Sequence, residues 1–282
     1  MKKLALVAFM AIGAFALNAQ VTTPQPSPFA KVEQKVGLTD ITLEYSRPGV
    51  KGRTIFGDLV PYGKMWRTGA NKNTMISFST DVKVGGKDLK AGSYAIFTQP
   101  NASSWDVFFY SDTNNWGTPQ EWDESKVAAK VSAPVSAMPM RAETFTINFG
   151  QLTNSSTELG FIWANTYAGL KIEVPTDNAV QASIEKTMGG PGPNDYFSAA
   201  VYYLQEGKDI KKAMTWIDKA VEMTNDKPRF WYLRQQSLIH AKAGKTKTAI
   251  KAAKKSMELA EKAGNADYVK MNKDSLKEWG AL

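Results

Sequence analysis

The residues best equipped to bind a ligand lie close together in residues 59–79, which read LVPYGKMWRTGANKNTMISFS. Aromatic rings supply flat apolar surface, an arginine presents a planar fork of N–H donors, and asparagine side chains both donate and accept hydrogen bonds. Such a set suits a carboxylate, a phosphate or the hydroxyls of a sugar. The candidate ligand-binding residues, one of them just upstream of this stretch, are Arg53, Tyr62, Trp66, Arg67 and Asn71.

These residues also have a structural interpretation, and the sequence leaves both open. Trp66 could close the end of a β-domain as an apolar plug, and Asn71 could occupy a turn that needs a positive φ. Asp58 could simply pair with Arg53 or Arg67. If Trp66 is a plug, its removal unfolds the domain; if it only contacts a ligand, its removal spares the fold.

A second candidate surface is basic and lies in the C-terminal part of the chain. Residues 227–257 contain nine basic side chains and neither aspartate nor glutamate. On a helix that begins near Thr246, the side chains of Lys247, Lys251 and Lys254 share one face. Lysines spaced i,i+4 repel each other by roughly a few tenths of a kcal/mol, so helix stability does not explain the pattern. The alternatives are an ordinary solvated face and a docking surface for an acidic envelope protein, lipid headgroup or glycan.

The composition excludes several classes of chemistry. The chain has 0 Cys and 1 His, so disulfides, thiol catalysis and metal sites built from cysteine or several imidazoles are impossible. The one histidine, His240, lies in a helical pattern away from any Ser or Asp motif and is interpreted as a packed or capping residue. Neither a phosphate-binding P-loop nor a G-x-S-x-G nucleophile motif is present. We therefore predict no catalytic residue, no metal and no cofactor, and favour a protein that is not an enzyme.

The N-terminus predicts export. Lys2 and Lys3 precede an apolar run, Leu4 to Leu17, and the following LNAQ offers cleavage after Ala19, so residues 1–19 resemble a secretory signal peptide. The run is shorter than the roughly 20 residues that span a bilayer, so no transmembrane segment is expected after its removal. The expected location is the periplasm or the outer membrane, with secretion as a third destination. Nucleic acid is then a poor partner despite a net charge of +8.

Residues 28–175 have the two-residue periodicity of β-strands. Segments such as TDITLEYS, TMISFST, GSYAIFTQP and SWDVFFYS alternate apolar with polar side chains between turn-forming stretches. TELGFIWAN and AGLKIEV predict two further strands, and Gly85-Gly86 predicts a tight hairpin. Because helical patterns are missing between the strands, we predict an antiparallel β-sandwich for this domain.

Residues 176–282 change to the 3.6-residue periodicity of α-helices, so the whole chain is predicted to be an α+β multidomain protein. The helices come in pairs, and Gly207 and Gly244 end the first helices of successive pairs. Ala213 and Ala249 lie early in the second helices, 36 residues apart. This spacing resembles tetratricopeptide repeats, whose period is about 34 residues, although their Trp-Leu-Gly-Tyr signature is absent. We predict about two degenerate helical-hairpin repeats with flanking helices; a generic helical bundle is the alternative.

Several motifs of the β-rich part resemble those of a known family. YSRP, KGR, FGDLVPYGKMWRTGAN, LKAGSYAIFTQP and the pair Trp116-Gly117 look like the signature of an uncharacterised family of exported bacterial proteins common in the Bacteroidota. That family is the domain of unknown function numbered twenty-nine eleven. The likeness covers about Pro28 to Val174. Since no activity is assigned to the family, the resemblance implies no catalytic residues, but it adds weight to residues 59–79.

Two functional hypotheses follow. The leading one is a non-enzymatic interaction or adaptor protein of the cell envelope, because stacked helical pairs form concave surfaces for peptides or proteins and the basic face adds attraction. The alternative is a small-ligand or carbohydrate-binding β-sandwich, with weak hydrolase activity as its furthest extension. In that alternative, Trp66, Arg67 and Asn71 contact the ligand. Tyr62 and Arg53 then support them.

Overall fold

The computed structural model describes residues 23–282, so the predicted signal peptide lies outside the described residues. The chain divides into two compact units, with the boundary between Thr176 and Asp177. The first unit is built from β-strands and the second from α-helices, in agreement with the change of periodicity in the sequence.

The first unit is a nine-stranded antiparallel sheet folded into two layers that share one core. The strands are β1 (Phe29–Val36), β2 (Thr39–Ser46), β3 (Thr74–Phe78), β4 (Val82–Val84), β5 (Lys87–Leu89), β6 (Gly92–Pro100), β7 (Ser104–Tyr110), β8 (Val127–Gly150) and β9 (Ser156–Glu173). Their order across the sheet is β1-β2-β3-β6-β7-β8-β9-β4-β5. Most inward side chains of the strands are apolar, as their alternation predicts, and Thr39 and Thr74 are buried polar exceptions.

The longest strand, β8, joins the two layers. Its first part, up to Pro134, pairs with β7, and the remainder pairs with β9. Tyr45 of β2 adds a second link, because its hydroxyl accepts a hydrogen bond from the Ile147 N–H at 3.0 Å and donates to the Ile147 carbonyl at 3.2 Å. The largest side chains of the shared core are aromatic: Trp105, Phe109, Phe145, Phe161 and Trp163.

The turns of the sheet follow the sequence in one place and depart from it in another. Gly85 and Gly86 have φ of 53° and 81°, the conformation that the two-residue turn between β4 and β5 requires, so the predicted hairpin is confirmed. The two strands predicted at TELGFIWAN and AGLKIEV are instead one strand, β9. Ala164 has φ 53° and kinks β9, but β8 is irregular where Ala142 pairs with Ala164, so the strands remain paired through the kink.

The second unit contains six α-helices in the described residues. They are α1 (Thr176–Thr187), α2 (Pro193–Gln205), α3 (Ile210–Glu222), α4 (Phe230–Lys242), α5 (Thr246–Lys262) and α6 (Ala266–Glu278). The pairs α2/α3 and α4/α5 are helical hairpins, with Gly207 and Gly244 in positive-φ positions after α2 and α4. Ala213 and Ala249 are fully buried, which allows close helix packing. No helix within residues 23–282 is long and apolar enough to cross a membrane.

Candidate ligand-binding pocket

Trp66 anchors the long loop between β2 and β3. The backbone N–H of Trp66 donates to the Thr98 carbonyl at 2.7 Å, and the backbone N–H of Thr98 donates to the Trp66 carbonyl at 2.9 Å. Its ring lies nearly parallel to that of Trp163, with centroids 5.8 Å apart and an interplanar angle of 14°. The other aromatic rings in contact with it are those of Phe56, Trp105 and Phe145. These contacts support the plug interpretation of Trp66.

A pocket of about 440 Å³ lies beside this plug. Trp66 and Trp163 give it an aromatic lining, and the β2–β3 loop supplies most of its wall. Ser27 from the N-terminal segment and Thr118 from the loop between β7 and β8 add hydroxyl groups. The pocket therefore draws on four separate segments of the chain, and its volume lies in the range of about 300–1,000 Å³ that is usual for small-molecule sites.

The charged side chains of the pocket lining are all positive. Lys51, Arg53 and Arg67 line it, and no aspartate or glutamate does. Part of the Arg53 guanidinium is already hydrogen-bonded within the protein, because its Nη2 and Nε donate to the carbonyls of residues 49 and 50, at 2.6 and 3.0 Å. One carboxylate lies nearby, since Glu143 accepts a hydrogen bond from the backbone N–H of Lys51 at 2.7 Å. The lining itself is rich in donors and cations, which favours an anionic ligand.

Arg67 is the most informative residue of the pocket. Its side chain is half-buried, yet it forms neither a hydrogen bond nor an ion pair with any of residues 23–282. Asp58, which the sequence offered as a partner, does not pair with it. Gly117 allows the Arg67 guanidinium to lie here, because a Cβ at this position would crowd Nη1 of Arg67 at 3.3 Å. The φ of Gly117 is 102°, a backbone conformation that also favours glycine. Burying a polar group without a partner costs about 1–3 kcal/mol, so the fold alone does not account for Arg67.

Two N–H donors at the pocket are buried without an acceptor. They belong to Nε of Arg67 and to the indole Nε1 of Trp163, a side chain that is only 1% exposed. Both nitrogens are shielded from solvent, so the surrounding side chains must shift slightly before a ligand oxygen can reach them. An oxygen of a carboxylate or phosphate would then satisfy donors that the protein leaves unpaired.

Two of the predicted ligand-binding residues do not line the pocket. Asn71 has φ 58°, and its Nδ2 donates to the Ser27 carbonyl and the Ser46 hydroxyl, both at 3.2 Å, so it is a turn residue that holds the N-terminal segment. Tyr62 is exposed, and its ring lies against Gly57. The other three predicted residues do line the pocket.

Sequence reasoning missed Trp163 and Thr118. Trp163 lies in a strand, and strand alternation marks a ring as core without revealing that it also borders a pocket. Thr118 reaches the pocket because two loops pair: the Asn73 N–H donates to the Asn115 carbonyl at 3.2 Å, and the Asn115 N–H donates to Oδ1 of Asn73 at 3.0 Å. The only feature of the sequence that indicates this pairing is the polar side chain of Asn73, and its polarity does not identify Asn115 as the partner.

The basic face of the helical unit is smaller than the sequence suggests. Lys262 and Lys255 both bind Glu258, at 2.7 and 3.0 Å, and their hydrogen bonds lower the pKa of that carboxyl to about 2. Three further lysines of α5 are exposed and have no ion pair within residues 23–282. These are the predicted partner-binding residues Lys247, Lys251 and Lys254.

His240 is a packed residue, as predicted. Its ring is buried, and Nε2 lies 2.8 Å from Oδ1 of Asp218, which helix packing brings close although the sequence places no aspartate motif beside it. Nδ1 has no partner within the described residues, so no hydroxyl completes a Ser-His-Asp relay there. Within residues 23–282, no group of three or more His, Cys, Asp or Glu side chains could hold a metal ion.

Comparison with known proteins supports the resemblance and supplies no activity. The sequence profile of a family described as a protein of unknown function, DUF2911, matches residues 27–172, just over half of the chain. This match confirms the resemblance that the motifs indicate. No curated protein matches, and no solved structure matches.

Replacing Trp66 with alanine is expected to destabilise the β-unit, because its ring contacts the aromatic core. Truncation of a fully buried tryptophan lowers the free energy of unfolding by about 3–5 kcal/mol, and the loss at the partly buried Trp66 should lie at or below the lower end of that range. Denaturant titration followed by circular dichroism measures the change. Trp116→Ala is the matched control: it removes an exposed tryptophan and should change the free energy by less than about 0.5 kcal/mol. Wild-type stability of Trp66→Ala would show that Trp66 is only a ligand contact.

Replacing Arg67 with methionine is expected to stabilise the unliganded protein, because it removes a half-buried cation without a partner. The free energy of unfolding should rise by about 0.5–2 kcal/mol, in the same denaturant titration. Arg141→Met, at an exposed position, is the control and should have little effect. A clear loss of stability in Arg67→Met would identify Arg67 as a structural residue.

Proposed function

We propose that this chain, which belongs to the DUF2911 family of unknown function, binds a small organic anion in the pocket beside Trp66. The observation that carries the proposal is Arg67, a half-buried residue whose Nε is buried and whose side chain has no partner within residues 23–282. Retaining such a group costs stability, and a ligand that pairs with it supplies the compensation.

The character of the lining favours an oxyanion over a cation or a neutral molecule. Lys51, Arg53 and Arg67 create a positive potential, and the absence of carboxylates from the lining means that nothing in it opposes an anion. An arginine fork matches the two oxygens of a carboxylate or the oxygens of a phosphate. A neutral ligand would leave these charges uncompensated.

The size and apolar part of the pocket favour a ligand with a carbon body. The volume of about 440 Å³ suits a single small molecule. Trp66 and Trp163 line it together with apolar side chains such as Leu59, Val60 and Met65. An inorganic anion alone would leave this apolar surface wet, so an organic anion fits better.

The lining supports binding and not turnover. Ser27 and Thr118 supply hydroxyls, but no histidine, aspartate or glutamate lines the pocket to act on them as a general base. Acid–base hydrolysis by two carboxylates has no candidates there for the same reason. A binding protein is therefore the proposal, and the hydrolase extension is left aside.

Titration with benzoate and its uncharged counterpart benzamide tests the proposal by calorimetry. Wild-type protein is expected to bind benzoate and not benzamide, and added salt should weaken binding because screening acts on the charge pair. Arg67→Gln should weaken benzoate binding by about tenfold or more, since a charge-assisted hydrogen bond is worth about 1.5–3 kcal/mol.

The matched control for this titration is Lys64→Gln, which removes an exposed cation of the same loop that does not line the pocket. It should leave the affinity unchanged. Equal loss in both variants would mean that general electrostatic attraction, and not the pocket, holds the anion. Failure of wild-type protein to bind benzoate, acetate and inorganic phosphate would reject the proposal.

A second candidate function concerns the helical unit, which we propose docks on an acidic protein of the cell envelope. The observation that favours it is the exposure of Lys247, Lys251 and Lys254 on one face of α5, each without an ion pair within residues 23–282. Three positive charges on one helix face attract an acidic surface. Binding of that surface neutralises the charges and relieves their mutual repulsion.

Reversing these three charges to glutamate is expected to abolish capture of an acidic partner from envelope extract at low salt. High salt should release the same partner from wild-type protein. The control carries the same change in net charge on exposed lysines of the β-unit: Lys64→Glu, Lys72→Glu and Lys87→Glu. Equal loss in the control, or capture that resists salt and reversal, would argue against docking through α5.

A further inference from the structure

We propose that the anion bound beside Trp66 is an acidic sugar, a ring that carries a carboxylate, and that this ring lies against Trp116. The inference rests on the proposed function and goes further, since it names the class of ligand and adds a residue. Trp116 was not among the predicted binding residues.

Trp116 has no structural role within the described residues. Its side chain is 75% exposed, and neither a hydrogen bond nor an aromatic contact ties it to residues 23–282. Another tryptophan of the same loop anchors the loop instead. Trp122 stacks on Tyr110 with centroids 4.6 Å apart, and its Nε1 donates to Glu124 at 2.9 Å. The exposed ring is therefore not needed to hold the loop in place.

The backbone on both sides of Trp116 is fixed beside the pocket. On one side, Asn115 exchanges two hydrogen bonds with Asn73, at 3.2 and 3.0 Å. On the other, Gly117 packs against the Arg67 guanidinium, and Thr118 lines the pocket. The exposed indole of Trp116 is thus attached to the backbone segment that contacts Arg67 through Gly117 and lines the pocket through Thr118.

The chemistry of this arrangement matches a sugar acid. A ring at the edge of the pocket stays partly in water, so it needs one apolar face and a polar rim, which a pyranose has and a wholly apolar body lacks. Its C–H face would cover indole surface that is otherwise exposed. Its carboxylate would pair with Arg67, and its hydroxyls would meet the hydroxyls of Ser27 and Thr118.

Calorimetric titration of residues 20–282, the chain without its predicted signal peptide, with four probes tests the inference. The probes are D-glucuronate, D-glucose, acetate and adenosine monophosphate. Wild-type protein should bind glucuronate about tenfold tighter than acetate and should not bind glucose measurably. Trp116→Ala should weaken glucuronate binding by about three- to tenfold, the usual worth of an aromatic face, and leave acetate binding unchanged. Trp231→Ala, which removes an exposed tryptophan of the helical unit, is the control and should change neither affinity.

The outcomes separate this inference from the proposed function. If acetate binds in an Arg67-dependent way but glucuronate gains nothing, or Trp116→Ala has no effect, the sugar inference is overturned and anion binding stands. If adenosine monophosphate binds more tightly than glucuronate and depends on Trp116, a nucleotide replaces the sugar. If neither acetate nor glucuronate binds, both proposals fail together.

Discussion

One partly buried indole ring, that of Trp66, packs against the aromatic core of the β-unit, and the position of the long β2–β3 loop depends on it. Trp66 is locked by a reciprocal pair of backbone hydrogen bonds to Thr98 and by aromatic contacts that include a near-parallel Trp163. A loop of this length would otherwise have little to define it, since loops carry few buried apolar groups. The plug also fixes the backbone next to Arg67, whose half-buried side chain lines the pocket.

A consequence of that anchoring is a local conflict between stability and binding. The Tyr45 hydroxyl in the core is satisfied by two hydrogen bonds with Ile147. Arg67 and Trp163, which line the pocket, each retain a buried donor without an acceptor. Natural proteins usually break the rule of satisfied buried polar groups where a ligand completes the set. Among the described residues of the β-unit, the buried side-chain nitrogens without an acceptor are those of Arg67 and Trp163, and both residues line the pocket.

The sequence predicted most elements of the fold, and three of its five candidate ligand-binding residues are among the fifteen that line the pocket. Strand alternation, the Gly85-Gly86 turn and the helical hairpins depend on local patterns, and the structure has all of them. The continuity of β9 depends on pairing with β8 through a kink, which no local pattern encodes. The pocket divides in the same way. Residues within one loop, such as Arg67, could be grouped by proximity in sequence, whereas Trp163 and Thr118 come to it only through tertiary pairing.

Because both layers of the β-unit share β8, formation of the pocket is linked to folding of the whole unit. A single strand of 24 residues pairs with β7 at one end and with β9 at the other, so neither layer can form completely without it. Trp163 lies on β9, and Thr118 lies on the connection from β7 to β8. Ligand-binding loops of many proteins order late and separately from their scaffold. Here Trp163 reaches the pocket through the pairing of β9 with β8, and Thr118 reaches it through the hydrogen bonds between Asn73 and Asn115, so this part of the lining cannot form before segments distant in the chain have met.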